Sequence, residues 1–409
     1  MVVADTKTIL SSIINTIPAN LAGPDRISFL FDNIEKLKPE DRVVLRGVVN
    51  KLLTSMIERD ASDIEFGGHG NGGYVWLRIF GKKERVKDFP QFTEDESAVI
   101  IINLLNSNQK KFLSLTRNLD FSYTFFYERK KTNVRFRADT YFDLDTLALN
   151  MRAINSTIRP LDSMEFHPNV IKGMSHHYIK FGLSLVTGIT GSGKSTTLDA
   201  IIDSHNKTDP SHIVIVASPI EFVHTSNVSI IRHREVGRDV LTFKDGVIQA
   251  LRQDPDIIVI GEMRDPETIL AALEVTDTGH KVFSTLHTSS AVESLDRIIA
   301  EVHPNEQERV RNRLADVLVS VVSQKLVPSL DGKRVMAKEV LLVTPSVKAA
   351  IKNNNTSEIY MMINQGGQQG MITMEQDLKR LYLAKKISLE NAIAYANNKT
   401  RIQQILSAV

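Results

Sequence analysis

Apolar residues recur at helical spacing over the first forty positions, at Ile9, Leu10, Ile13, Ile14 and Ile17 and again at Leu30 and Ile34. Pro18, Gly23 and Pro24 interrupt the two groups. The pattern predicts two short helices forming an N-terminal extension over residues 1–40. It reads as padding for the domain behind it, with a docking arm for a partner as the alternative. Residues 41–155 mix two periods. The stretch VVLRGVVNKLLTSMIER is helical, whereas YVWLRIFG, LDFSYTFFYER and NVRFRADTYF alternate as strands do, which predicts a compact α+β domain. The segment INSTIRPLDSMEFHP carries two prolines and little periodicity, and places a linker at 156–180. Over 181–345 short apolar runs (LSLVT, HIVIVA, IIVIG, KVFST, VMAKEVLLV) alternate with helical stretches. That βαβ rhythm predicts a mainly parallel sheet covered on both faces. Residues 346–409 read as a C-terminal helical region of short helices, with a turn at Gly366, Gly367 and Gly370. No repeat or low-complexity tract interrupts this order.

Composition narrows the chemistry. A chain of 409 residues with 42% apolar and 24% charged residues is ordinary globular material, enough for two or three domains. It has no cysteine, which excludes disulfides and thiolate zinc sites. Fifty basic residues against 48 acidic ones leave a net charge of +2, so no chain-wide nucleic-acid footprint is expected. The N-terminus lacks a basic region followed by an apolar core, and no apolar run reaches the ~18 residues of a membrane span. The expected location is the cytoplasm, with any membrane contact made through partner proteins.

The segment GITGSGKS, Gly188 to Ser195, fits G-x-x-x-x-G-K-[ST]. Glycines let backbone N–H groups turn toward a triphosphate, and the helix that follows aims its positive end there. Lys194 supplies a point charge for the β and γ oxygens, Ser195 a hydroxyl for Mg²⁺, and Thr196 reaches the α-phosphate. A chance match is expected in roughly 1–2% of chains of this length. The apolar strand before it and the apolar-periodic helix after it make a glycine turn without a ligand the poorer reading.

Three groups downstream are candidates for the chemistry. The run DPDIIVIGEMRD is an apolar strand ending in an acid. Gly261 stands where the usual pattern has aspartate, which leaves Glu262 the metal-side or water-polarising role. Asp265 precedes Pro266 and reads as a helix N-cap. Arg264 either pairs with an acid or senses the γ-phosphate. Glu221 follows the strand in IVIVASPIEFVH, where it either orients water for in-line attack or is an exposed loop glutamate. His280 and His287 flank KVFSTL without metal-ligand spacing. Lone histidines are usually structural, but His287 at a strand end beside the nucleotide is placed to bind the γ-phosphate.

With these residues in view, the chain resembles the secretion ATPase superfamily, and within it the PilT-type retraction ATPases of type IV pili. The resemblance rests on an ordered series: ASDIEF, LDFSY, RFR, GLSLVTGITGSGKSTT, PIEFVH, REVG, LTFKDGVIQALRQDPDIIVIGEMRDPETI, TGHKVFSTLHT, DRII, VSQKLVP and GMITMEQDL. It implies a RecA-like P-loop core joined to a PAS-like α+β N-terminal domain, assembled as a homo-hexamer that binds ATP and Mg²⁺. The family's nucleotide loop falls on Gly188, Thr190, Gly191, Ser192, Gly193, Lys194, Ser195 and Thr196. Its Walker B glutamate falls on Glu262, a general-base glutamate on Glu221, and its histidine box on His280 and His287. Its first-domain arginines, acting across a subunit face, fall at Arg135, Arg137 or Arg152. The implied work is ATP-driven pilus retraction against an inner-membrane platform protein, with the motor cytoplasmic and peripheral at that membrane. Three departures stand out. Ala217 and Ser218 replace two usual acids, Ile189 replaces a loop proline, and Lys348 replaces an arginine of a C-terminal motif tied to retraction. The alternatives are the ATPase of a secretion, conjugation or pilus-extension system, or a nucleotide-binding scaffold without turnover.

Overall fold

The structure is a computed structural model describing residues 2–154 and 157–407, with side chains from Thr6 onward. Asn155 and Ser156, at the expected start of the linker, lie outside the described residues, as do Met1, Ala408 and Val409. The chain divides into two compact units. The first is Met1–Ser156 with the short segments Ser218–Phe222 and Gly237–Asp239, and the second is the remainder.

In the first unit a six-stranded antiparallel sheet forms from β1 (Ala61–Gly67), β2 (Trp76–Ile79), β3 (Lys82–Arg85), β4 (Asn118–Tyr127), β5 (Thr132–Asp143) and β6 (Thr146–Ala153), in the order β3-β2-β1-β6-β5-β4. Helices cover its apolar face. The central one, Glu94–Ile102, buries every residue from Ser97 to Ile102 and starts with a capping box between Thr93 and Glu96. Both N-terminal helices, Val2–Ile14 and Gly23–Glu35, bury their apolar stripes in the same core: Leu10, Ile13, Ile27, Leu30 and Ile34 pack with Leu45, Val49 and Leu52. Gly23 and Pro24 open the second helix rather than merely separating the two, since proline's fixed φ suits a first helical turn.

The second unit holds a seven-stranded sheet of β7 (Gly182–Thr187), β8 (His212–Ala217), β9 (Ile230–Glu235), β10 (Ile257–Ile260), β11 (Lys281–Leu286), β12 (Leu318–Pro328) and β13 (Arg334–Leu342). The order is β13-β12-β7-β11-β10-β8-β9, parallel throughout except for β13 at one edge. β7, β10 and β11 are buried along their whole length, as strands covered on both faces must be. The five strands expected from apolar runs are present. The apolar runs did not mark β9 or β12. β9 reads IIRHRE, an edge strand with charges on alternate positions, and β12 continues the apolar period of the helix Gln307–Val317 without a turn signal. A satellite core joins Val327 and Ala337 to Met374, Leu378, Leu381, Ala392 and Ile402 of the C-terminal helices. No helix among the described residues is long and apolar enough to cross a membrane.

Candidate functional site

Sheet register brings the site together. Thr187 pairs with Leu286 across β7 and β11, and Ile260 pairs with Ser284 across β10 and β11. The residues leaving these three strands at one end are therefore Gly188, His287 and Gly261-Glu262. The loop Gly188–Gly193 turns there into the helix Lys194–Thr208. Gly188 is required by space: a Cβ on it would lie 2.4 Å from Ser192 Oγ and 2.5 Å from the Gln324 carbonyl. Ser192 Oγ is buried and has no hydrogen-bond partner among the described residues, so the loop carries a donor that a phosphate oxygen would satisfy. Ser195 and Thr196, on the first turn of the helix, keep their residues exposed.

Lys194 is buried and folds back on the loop, donating to the Gly188 carbonyl at 2.7 Å and the Ile189 carbonyl at 3.2 Å. Its Nζ also stands 3.5 Å from His287 Nδ1. A nitrogen that faces an ammonium accepts, so the ring proton sits on Nε2, which lies 3.6 Å from Glu262 Oε2. His287 is held below the ordinary histidine pKa, first by burial and then by the Lys194 charge, with Glu262 pulling the other way. The imidazole thus stands between the loop lysine and the strand-end carboxylate. Glu262 is also paired with Arg264 Nε at 2.7 Å, so the acid-pairing reading of Arg264 describes this state. Thr285 Oγ1 donates to the Gly261 carbonyl at 2.6 Å and fixes the backbone beside Glu262. Gly261 itself leaves no room for the usual aspartate: a Cβ there would meet Ala217 Cβ at 2.9 Å and Cα at 3.1 Å.

The remaining candidates lie elsewhere. His280 precedes β11 and so stands at the strand's other end from His287, facing Thr278 Oγ1 at 3.0 Å and the Val275 carbonyl at 3.2 Å. The structure does not bring it to the phosphate loop. Asp265 caps the helix Pro266–Asp277, accepting from Thr268 N at 2.8 Å, as its sequence position predicts. In the first unit, Arg137 approaches Glu221 at 4.0 Å, and Arg135 Nε donates to the Ile220 carbonyl at 2.8 Å. Arg152 instead pairs with Asp63 at 2.7 Å.

Sequence reasoning gave Gln324 no role. It is 1% exposed, donates to the Ser192 carbonyl and accepts from Thr197 Oγ1, both at 2.9 Å. Its signal was available as a run of polar residues, Ser320, Ser323 and Gln324, inside an apolar strand. Ser320 donates to Ser184 Oγ at 3.1 Å, and Ser323 belongs to a buried hydroxyl chain. Ser323 meets Thr187 at 2.7 Å, Ser294 reaches Thr187 at 3.5 Å, and Thr288 meets Ser294 at 2.6 Å. The chain runs beneath the phosphate loop to the residue after His287.

The chain is similar over most of its length to known proteins. The family model described as "Type II/IV secretion system protein" matches residues 38–407. A "Twitching motility protein" of Neisseria gonorrhoeae is 38% identical over 79% of this chain and 84% of its own length. The "Type IV pilus retractation ATPase PilT" of Pseudomonas aeruginosa is 36% identical over 84% of this chain and 96% of its own. A crystal structure of the pilus retraction motor PilT with bound ADP superposes with a TM-score of 0.75 at 34% identity, covering 87% of this chain and 98% of that one.

Proposed function

Because the chain belongs to the type II/IV secretion system protein family, we propose that it is an ATP-hydrolysing motor that retracts a type IV pilus. The observation that carries this reading is the Lys194–His287–Glu262 cluster at the convergent ends of β7, β11 and β10. A triphosphate laid on the amides after β7 replaces the Gly188 and Ile189 carbonyls as the partner of Lys194 Nζ. The freed lysine then holds the β and γ oxygens, and His287 Nε2–H is placed to reach the γ-phosphate and to register its loss. Glu262 polarises water on the far side of His287, and Glu221 is the candidate base that aligns it.

The donor set suits a small hard cation. Ser195 offers an exposed hydroxyl and Glu262 a carboxylate at the strand end, while no group of three or more His, Asp or Glu among the described residues could hold a metal. Mg²⁺ favours that arrangement, taking one or two protein oxygens with the substrate's phosphates. When bound it would neutralise the charge that builds on the transferred phosphoryl group.

The second unit is RecA-like and the first PAS-like in this reading, and six copies form a ring. In it Arg135 or Arg137 completes a neighbour's site, and a platform protein at the inner membrane takes the output. The likeness to the two pilus relatives, spanning most of their length, supports retraction as the client. Phosphate release by the purified protein, together with pilus retraction in cells, tests it. Wild type is expected to hydrolyse ATP and to restore retraction to cells lacking their own motor, and Lys194→Ala to do neither. Hydrolysis without restored retraction would leave the enzyme and remove the client; no hydrolysis would remove both.

A further inference from the structure

The loop from His287 to Ser290 connects β11 to the helix Ala291–Glu301. Besides the bonds of Ser289 to Glu293 and of Arg297 to the His287 carbonyl, it is gripped at three points among the described residues. Thr288 is tied into the buried hydroxyl chain. Ala291 N donates at 2.8 Å to Glu339 Oε1, a carboxyl that is 2% exposed and that burial pushes up to about 7. The third grip comes from outside. Asn397 Nδ2 donates to the Ser289 carbonyl at 3.2 Å. Asn397 lies in the exposed turn between the C-terminal helices Leu389–Tyr395 and Lys399–Ser407.

That turn is itself held on two sides. Lys325 Nζ donates to the Tyr395 carbonyl at 2.7 Å and to Asn397 Oδ1 at 2.6 Å. An amide oxygen facing an ammonium leaves its NH₂ for the other partner, so the lysine also fixes which way Asn397 points. On the other side, Asn398 N donates at 2.8 Å to Glu375, which is 1% exposed. Lys325 directly follows Gln324, the residue that holds the phosphate loop at Ser192 and the helix behind it at Thr197. Neighbouring positions of β12 therefore hold the phosphate loop and the C-terminal turn. A closed circuit results: Ser192, Gln324, Lys325, Asn397, Ser289, and through His287 back to Lys194.

We infer that Asn397 is a positioning residue for hydrolysis: it ties the C-terminal turn to Ser289 and so sets where His287 stands, two residues earlier. The two other grips are buried inside the unit, and Glu339 also accepts from the backbone of Met374 at the start of the helix Met374–Leu383. The Asn397 contact is the exposed route by which displacement of the last two helices reaches the loop after the histidine. This rests on the ATPase reading for its consequence, but not for its geometry.

Asn397→Asp separates the two contacts, since it keeps an oxygen for Lys325 and loses the donor to Ser289. In the full chain, kcat is expected to fall about fivefold, the worth of one hydrogen bond. KM for ATP should stay within twofold and the melting temperature should not change. A second measurement needs no turnover: hydrogen exchange in the nucleotide-free protein should quicken at Thr288–Ala291 in the variant and remain as in wild type across the phosphate loop. Unchanged exchange at Thr288–Ala291 overturns the inference whatever the activity. Faster exchange in the variant, with a wild type that releases no phosphate, would instead keep the tether and remove the ATPase reading. A loss of kcat matched by a loss of melting temperature would reduce Asn397 to a structural contact and overturn it too.

Discussion

Gly261 replaces the aspartate expected before the strand-end glutamate, and the structure gives a steric reason that can be measured. Its backbone lies in an ordinary φ range, so an alanine there is opposed by space alone. The added Cβ would sit 2.9 Å from Ala217 Cβ and 3.1 Å from Ala217 Cα, whereas carbon atoms settle at about 3.5–4.0 Å. Neither neighbour has a rotamer that could yield. Relief must come from parting β8 and β10 where Gly261 N donates to the Val216 carbonyl at 2.8 Å. Such overpacking costs about 1–3 kcal/mol. At roughly 2–4 °C per kcal/mol for a unit of this size, Gly261→Ala should melt about 2–12 °C below wild type by circular dichroism. Glu262 follows directly, so the same shift should lower kcat, by about tenfold if it moves the carboxylate by half an ångström. Gly261→Asp should do no better than alanine despite restoring the usual acid. Ala217→Gly removes the 2.9 Å contact, and in combination with Gly261→Ala should show a favourable coupling of about 1 kcal/mol. A Gly261→Ala protein that melts and turns over like wild type would refute the steric argument, and with it the account of why Glu262 acts without the aspartate.

Two further substitutions read buried and bridged charges. Lys281 is fully buried in β11, donates at 2.6 Å to the Gly173 carbonyl, and is pushed by burial from 10.5 to about 7. The unfolded chain then holds more protons than the native one between pH 7 and 10.5. Wild type should gain stability over Lys281→Met across that window, by up to ~1.4 kcal/mol per pH unit, and urea titrations giving parallel curves would contradict it. Glu165 bridges Lys386 and Arg380, each at 2.8 Å, and these hydrogen bonds lower its pKa to about 2. Because the carboxylate is half-exposed, Glu165→Gln should destabilise by less than about 1 kcal/mol at pH 7. The difference should shrink as pH falls from 4.5 toward 2, and a gap that widens in acid would exclude the bridge as its source.

The fold was legible where one local signal decided it. Five buried strands of the second unit announced themselves as short apolar runs, and Asp265-Pro266 marked a helix start that the backbone adopts. β12 was not legible, because an apolar period running from helix into strand carries no boundary when both are buried. The phosphate loop could be read from spacing alone, since its glycines and lysine are contiguous. The link from Lys194 through His287 to Glu262 joins residues far apart in sequence, and only sheet register brings them together. His280 shows the converse: it shares a motif with His287 but occupies the opposite end of one strand. Gln324 showed only as one of the polar positions inside an apolar strand and Asn397 carried no mark at all, because what each does depends on a backbone carbonyl of a distant loop.

The central claim is that a triphosphate rests on the amides after β7 and is cleaved with the help of Glu262. Its most direct test sets nucleotide binding beside phosphate release in Glu262→Gln, using a fluorescent ATP analogue with Mg²⁺ for the first and ATP for the second. The expected result is binding within a few-fold of wild type and release reduced by at least a hundredfold. A variant that releases phosphate at the wild-type rate, or a wild type that binds no nucleotide, would contradict the account.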